Sequence, residues 1–179
     1  MPATHVALLR GINVGKAKRV AMADLRTLFE GLGFTDVRTL LNSGNVVFTS
    51  KRAVSPTRIE KALLEATGVA ARVTVVTTAE FAAVVAENPL LDVADNPSRF
   101  LIAFLHQPTD LAKLEPLETQ DWSPEVLALG DRVAYLWCPD SILESPLAAA
   151  VGRALKDGVT SRNWATVLKL HALATPESL

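Results

Sequence analysis

Cysteine is almost absent from this sequence: a single residue, Cys138, stands among 179. No internal disulfide can form, so a reducing, cytoplasmic setting is the expectation. Long apolar runs are missing as well. No stretch approaches the roughly 20 residues that cross a bilayer, so no membrane partner is expected. The first ten residues lack the charged-then-apolar order of a signal peptide. Histidines are few and scattered (His5, His106 and His171), without metal-ligand spacing, which leaves no metal site in view. No dinucleotide fingerprint follows a strand, and no cofactor is expected.

What is present is an ordinary globular composition, 49% hydrophobic and 21% charged. That much apolar surface can offset the entropy of ordering the chain. The net charge of −1 hides a division. Residues 1–75 hold 11 Lys and Arg against 5 Asp and Glu, whereas residues 76–179 hold 7 against 14. One half is therefore +6 and the other −7. A basic side for an anionic ligand is one consequence, and plain fluctuation between solvated faces is the other.

Periodicity then orders the first half. Residues 5–9 (with Val6, Ala7, Leu8 and Leu9) form a buried strand, followed by a Gly- and Lys-bearing loop. Met22, Leu25, Leu28, Phe29 and Leu32 recur at helical spacing, and Gly33 supplies the left-handed stop. Residues 37–41 and 45–49 flank Asn42-Ser43-Gly44, a hairpin signal. Ser55-Pro56 opens a helix that ends at Gly68, and residues 72–76 make a β-branched strand. The order is βαββαβ, the ferredoxin-like arrangement. Thr77 and Glu80 have capping-box spacing for a short connecting helix that stops before Pro89.

The second half repeats that order at an offset of about 90 residues. Residues 100–105 are a strand, 110–117 a weak helix, and 126–129 with 132–138 a hairpin around Gly130-Asp131. Ser145-Pro146 starts another helix, for which Gly158 is the expected stop. A helix from residue 163 to about 174 is expected in place of the last strand. The fold class is thus α+β: two ferredoxin-like halves with antiparallel sheets, helices packed on them, and an extra C-terminal helix. The expected divisions are 1–77, a connector over 78–98, and 99–179.

Three polar motifs interrupt the apolar pattern. In the loop Arg10-Gly11-Ile12-Asn13-Val14-Gly15-Lys16, glycines allow backbone N–H groups to approach an anion just before a helix. It is not a nucleotide-triphosphate loop. Three residues instead of four separate Gly11 from Gly15, and Ala17 stands where a magnesium-binding hydroxyl is needed. A turning loop with solubilising lysines is the plain alternative. Asn42-Ser43-Gly44-Asn45 makes an easy hairpin, but it also gathers two amides and a hydroxyl. Ser43 lacks the Gly-x-Ser-x-Gly elbow of a nucleophile.

In Thr160-Ser161-Arg162-Asn163-Trp164, Thr160 or Ser161 can cap the last helix, which places Arg162 and Asn163 in its first turn. A cation there opposes the helix dipole unless an anion compensates, or unless Arg162 pairs with a buried carboxylate. Trp164 shares a face with Val167, Leu168 and His171 and reads as core. Cys138 ends an apolar strand and reads as a small packed hydrophobe.

Arg10-Gly-Ile-Asn-Val-Gly, Met22-Ala-Asp-Leu-Arg26, Ser43-Gly-Asn-Val-Val-Phe48 and Ser161-Arg-Asn-Trp164 together resemble the hallmarks of a mostly bacterial family, domain of unknown function 1697. The similarity runs over almost the whole chain and implies two ferredoxin-like halves, but no activity. Members often carry a second glycine where Lys16 stands. They also commonly have Ser-Lys-Leu where this helix begins Ser145-Pro146-Leu147.

The function expected from these features is binding of a small anionic ligand bearing a phosphate, nucleotide or carboxylate group. Its candidate residues are Arg10, Gly11, Asn13, Gly15, Lys16, Ser43, Asn45, Arg162 and Asn163. A protein-interaction module in which these residues are structural is the second reading. A hydrolase or transferase is the third, with no nucleophile, metal or acid–base pair behind it. Nucleic acid is a poor partner: only Phe48 of the central strands could stack on a base, and the pI is near 6.3.

Overall fold

A computed structural model of the chain describes residues 1–175. The chain divides into two compact units. The first comprises Met1–Phe81 with the end of the last helix from Leu170, and the second comprises Ala82–Lys169.

In the first unit, β1 (Ala3–Arg10) leads through the Gly- and Lys-bearing loop to α1 (Met22–Gly31), then β2 (Thr35–Leu40), β3 (Asn45–Ser50), α2 (Pro56–Thr67) and β4 (Arg72–Thr77). The strands form one antiparallel sheet in the order β2-β3-β1-β4. This is the expected ferredoxin-like layout, and strand alternation explains its core. Ala7 and Leu9 of β1, Val46 and Phe48 of β3, and Val73 of β4 face one way. There they meet Leu25 and Phe29 of α1 and Ile59 and Leu63 of α2. Local signals act as read. The Ser55 hydroxyl accepts from the Arg58 amide at 3.3 Å, Pro56 occupies the first helical position, and Gly68 ends α2 at φ 73°.

The helix α3 (Thr78–Ala86) opens with the expected capping box. The Thr77 amide donates to Glu80 Oε1 at 3.1 Å, and the Glu80 amide returns a bond to Thr77 Oγ1 at 3.1 Å.

The second unit holds β5 (Phe100–Leu105), α4 (Glu115–Glu118), β6 (Val126–Leu129), β7 (Val133–Trp137), α5 (Pro146–Leu155) and β8 (Val159–Asn163). Its antiparallel sheet runs β6-β7-β5-β8, the same relative order as the first. Three local expectations are corrected. The helix expected over 110–117 is a 3-10 turn, Pro108–Leu114, followed by the single turn of α4, with prolines at the start of each. The helix α5 ends at Leu155, and the residue with positive φ there is Lys156 at 54°, not Gly158. Finally, the last strand is kept. Val159–Asn163 pairs with β5 along its length as β8, and α6 (Trp164–Ala174) begins only after it.

Candidate functional site

The loop after β1 is held by the side chain of Asn13, which itself sits at φ 52°. Its Nδ2 donates to the carbonyls of Val20 (2.9 Å) and Asn42 (2.7 Å), and its Oδ1 accepts from the Val20 amide at 2.8 Å. Both amide hydrogens of Asn13 are therefore used in tying the two ends of the loop together and fastening it to the β2–β3 turn. Asn45 acts similarly from the fully buried start of β3. Its Nδ2 donates to the Leu40 carbonyl at 2.7 Å and to Ser43 Oγ at 3.1 Å, closing the turn. Gly44 completes the junction. At φ 94° it takes a backbone conformation that L side chains rarely adopt, and a Cβ there would lie 2.8 Å from Ile12 Cδ1 and 2.9 Å from Leu9 Cβ. The Arg10–Asn13 and Asn42–Asn45 segments are thus brought together, with Gly11 and Gly15 supplying further left-handed bends.

Around this junction the cations lie outward. Arg10, Lys16, Lys18 and Arg19 are exposed. Sheet register adds a residue that the sequence motifs did not single out. Arg10 lies opposite Arg72 across the β1–β4 pair, so two guanidinium groups leave the same face of the sheet. That face is the one turned away from Ala7, Leu9 and the helices. In the next row, Leu8 lies between Asn45 of β3 and Thr74 of β4. Thr74 is fully buried and its hydroxyl meets no partner among the described residues; neither does the buried Nε of Arg72. Arg72 and Thr74 read as strand residues in the sequence. Only the pairing of β4 with β1 reveals that they neighbour Arg10.

Arg162 and Asn163 belong to the second unit. The structure revises their local setting. Asn163 is the cap of α6, its Oδ1 accepting from the Thr166 amide at 2.9 Å, so neither Thr160 nor Ser161 has that role. Arg162 is a strand residue opposite Ile102, and its Nη1 donates to the Ser161 carbonyl at 2.9 Å. Burial pushes its guanidinium down to about 10, which still leaves it cationic at neutral pH. Trp164 is core, as read, packed against Phe100 with ring centroids 5.5 Å apart.

Other chemistry finds little footing. The Cys138 thiol is buried, donates to Ser145 Oγ at 3.4 Å and is pushed up to about 11 by burial, the opposite of nucleophilic activation. Among the described residues, no group of His, Cys, Asp and Glu could hold a metal ion, and no helix is long and apolar enough to cross a membrane.

The fold has a solved counterpart in conserved bacterial protein SP0830 from Streptococcus pneumoniae. The two are 23% identical, with a TM-score of 0.71 over 98% of this chain and 100% of that one. At this identity the likeness speaks for the fold alone. No curated protein matches the chain. Residues 3–135 match the family described as "Protein of unknown function (DUF1697)", and with that share of the chain covered, the protein belongs to this family.

Proposed function

We propose that the first unit binds a small anionic ligand beside the junction of the Arg10–Arg19 loop and the Asn42–Asn45 turn, with Arg10 and Arg72 as its cationic floor. The observation that carries this is the pair itself. Register sets Arg10 opposite Arg72 on neighbouring strands, so the two guanidinium groups leave one face of the sheet where both can donate to a single anion. The buried, unpartnered Nε of Arg72 adds a donor that a phosphate or carboxylate oxygen would satisfy. Exposed Lys16, Lys18 and Arg19 raise the local concentration of anions. In this arrangement Asn13, Ser43 and Asn45 hold the frame, and Gly11 and Gly15 shape the loop.

Inorganic phosphate and a nucleoside monophosphate are the probes. Saturating phosphate should raise Tm, since a ligand at ~100 times Kd stabilises by about 2.7 kcal/mol. Arg10→Met and Arg72→Met, each folded by circular dichroism, should lose most of that rise. Equal Tm with and without both probes in the wild-type protein would remove the proposal.

A second reading, a protein-interaction module in which these residues are structural, is favoured by one specific observation. The amide hydrogens of Asn13 and Asn45 all point to internal acceptors. On that reading Asn13→Ala and Asn45→Ala lower stability, while phosphate shifts Tm of no variant.

A further inference from the structure

A separate cavity of about 460 Å³ lies in the first unit, lined by Thr4, Arg26, Asp36, Arg38, Thr49 and Ala174. That volume falls within the range of small-molecule sites. Its construction begins in β2, an edge strand of the sheet. The pairing of β2 with β3 shifts register between Thr35 and Arg38, and Asp36 within this irregularity has φ 49°. A bulge of this kind re-aims side chains at a sheet edge. Here Asp36 and Arg38 both line the same hollow.

Arg38 is opposite Val47, two residues before Thr49 on β3, so alternation places Arg38 and Thr49 on one face. Thr4 is the cross-strand partner of Thr49, and their hydroxyl oxygens are 3.1 Å apart. One hydroxyl donates to the other, which leaves one further O–H and several lone pairs on two residues that line the cavity. The guanidinium of Arg26 also lines the hollow from α1, but its charge is already answered by Glu30 at 3.3 Å. Arg38 has a different status. Its Nε is buried and meets no hydrogen-bond acceptor among the described residues, and no ion pair with Asp36 forms. A guanidinium and a carboxylate share one cavity wall without satisfying each other.

We propose that this cavity binds a small amino-carboxylate, its carboxylate on Arg38 and its ammonium on Asp36, with the Thr4–Thr49 hydroxyls completing the contact. A carboxylate accepts from two N–H groups of the Arg38 guanidinium in the paired geometry that guanidinium favours. A plain anion would leave Asp36 facing it with like charge; a zwitterion answers both groups. The site is independent of the one proposed at Arg10 and Arg72, and it shares no lining residue with it.

Calorimetric titration of the full chain with 4-aminobutyrate, L-alanine, butyrate and butylamine tests this. At least one of the two amino acids should bind saturably and more tightly than butyrate or butylamine. Arg38→Met should weaken that binding by about tenfold or more, as the loss of a charge-assisted pair implies. Arg38→Lys, which keeps the charge and guards against a folding defect, should weaken it to a smaller extent. Asp36→Asn is suited to the positive φ, because asparagine tolerates that conformation. It should abolish the preference for the amino acid over butyrate while leaving carboxylate binding in place. No saturable binding of any probe, or wild-type affinity in folded Arg38→Met, would overturn the proposal.

Discussion

At the scale of single residues, the loop junction of the first unit depends on contacts too close for any side chain to be added. Gly44→Ala places a methyl group 2.8 Å from Ile12 Cδ1 on a residue at φ 94°. Both the clash and the backbone strain oppose it, and a loss of ~2–3 kcal/mol is expected in urea unfolding. An unchanged midpoint would show that the loop can move aside. The glycine, and the Asn-Ser-Gly sequence before Asn45, were legible as turn chemistry. That Ile12 would press against it was not, because the contact joins two loops about 30 residues apart. Arg72 illustrates the same limit more sharply. Nothing about an arginine at the start of a strand says which residue it will face.

Elements were more legible than contacts. Ser55-Pro56, Ser145-Pro146 and Thr77 with Glu80 all open helices with the bonds their spacing implies. These signals involve residues three apart, so tertiary packing has little power to override them. The misread elements are those in which packing decides. Val159–Asn163 contains Thr, Ser and Asn, which look like cap residues, yet hydrogen bonds to β5 hold it extended. The cap accordingly moved to Asn163. Asn163→Ala should cost about 1 kcal/mol in thermal or chemical unfolding, and Asn163→Asp should restore nearly all of it. Glu80→Ala should cost a similar ~1 kcal/mol by opening the box at α3. If Asn163→Asp is no better than alanine, the Thr166 bond has no stabilising value.

For the whole molecule, the two raised groups of the second unit set an alkaline limit. The Tyr135 hydroxyl, donating to the Val84 carbonyl at 2.8 Å, is pushed up to about 12 by burial and then by the charges of Glu87 and Asp131. The Cys138 thiol is pushed up to about 11, also by burial first. Each proton is held more tightly in the folded than in the unfolded chain, whose values are 9.0 for the thiol and 10.0 for the phenol. The stabilisation they contribute is therefore full below pH 9 and is lost as pH rises through about 11 and 12. Urea midpoints measured from pH 7 to 11 should fall above pH 9. Tyr135→Phe should flatten the upper part of that fall while costing ~1 kcal/mol at pH 7 for the lost hydrogen bond. A profile that stays level to pH 11 would contradict the assignment.

The sequence by itself determined the βαββαβ order of the first half, the same order in the second half up to its last strand, the division of charge and the helix starts at Ser55, Thr77 and Ser145. Those features rest on apolar periodicity and on hydrogen bonds between residues close in the chain, which need no knowledge of the rest. Tertiary structure alone decided that Asn13 and Asn45 tie loops together, that Arg10 faces Arg72, and that Asp36 and Arg38 share a cavity. Each of these depends on strand order or register, and a one-residue slip in register would turn the same side chains to the opposite face.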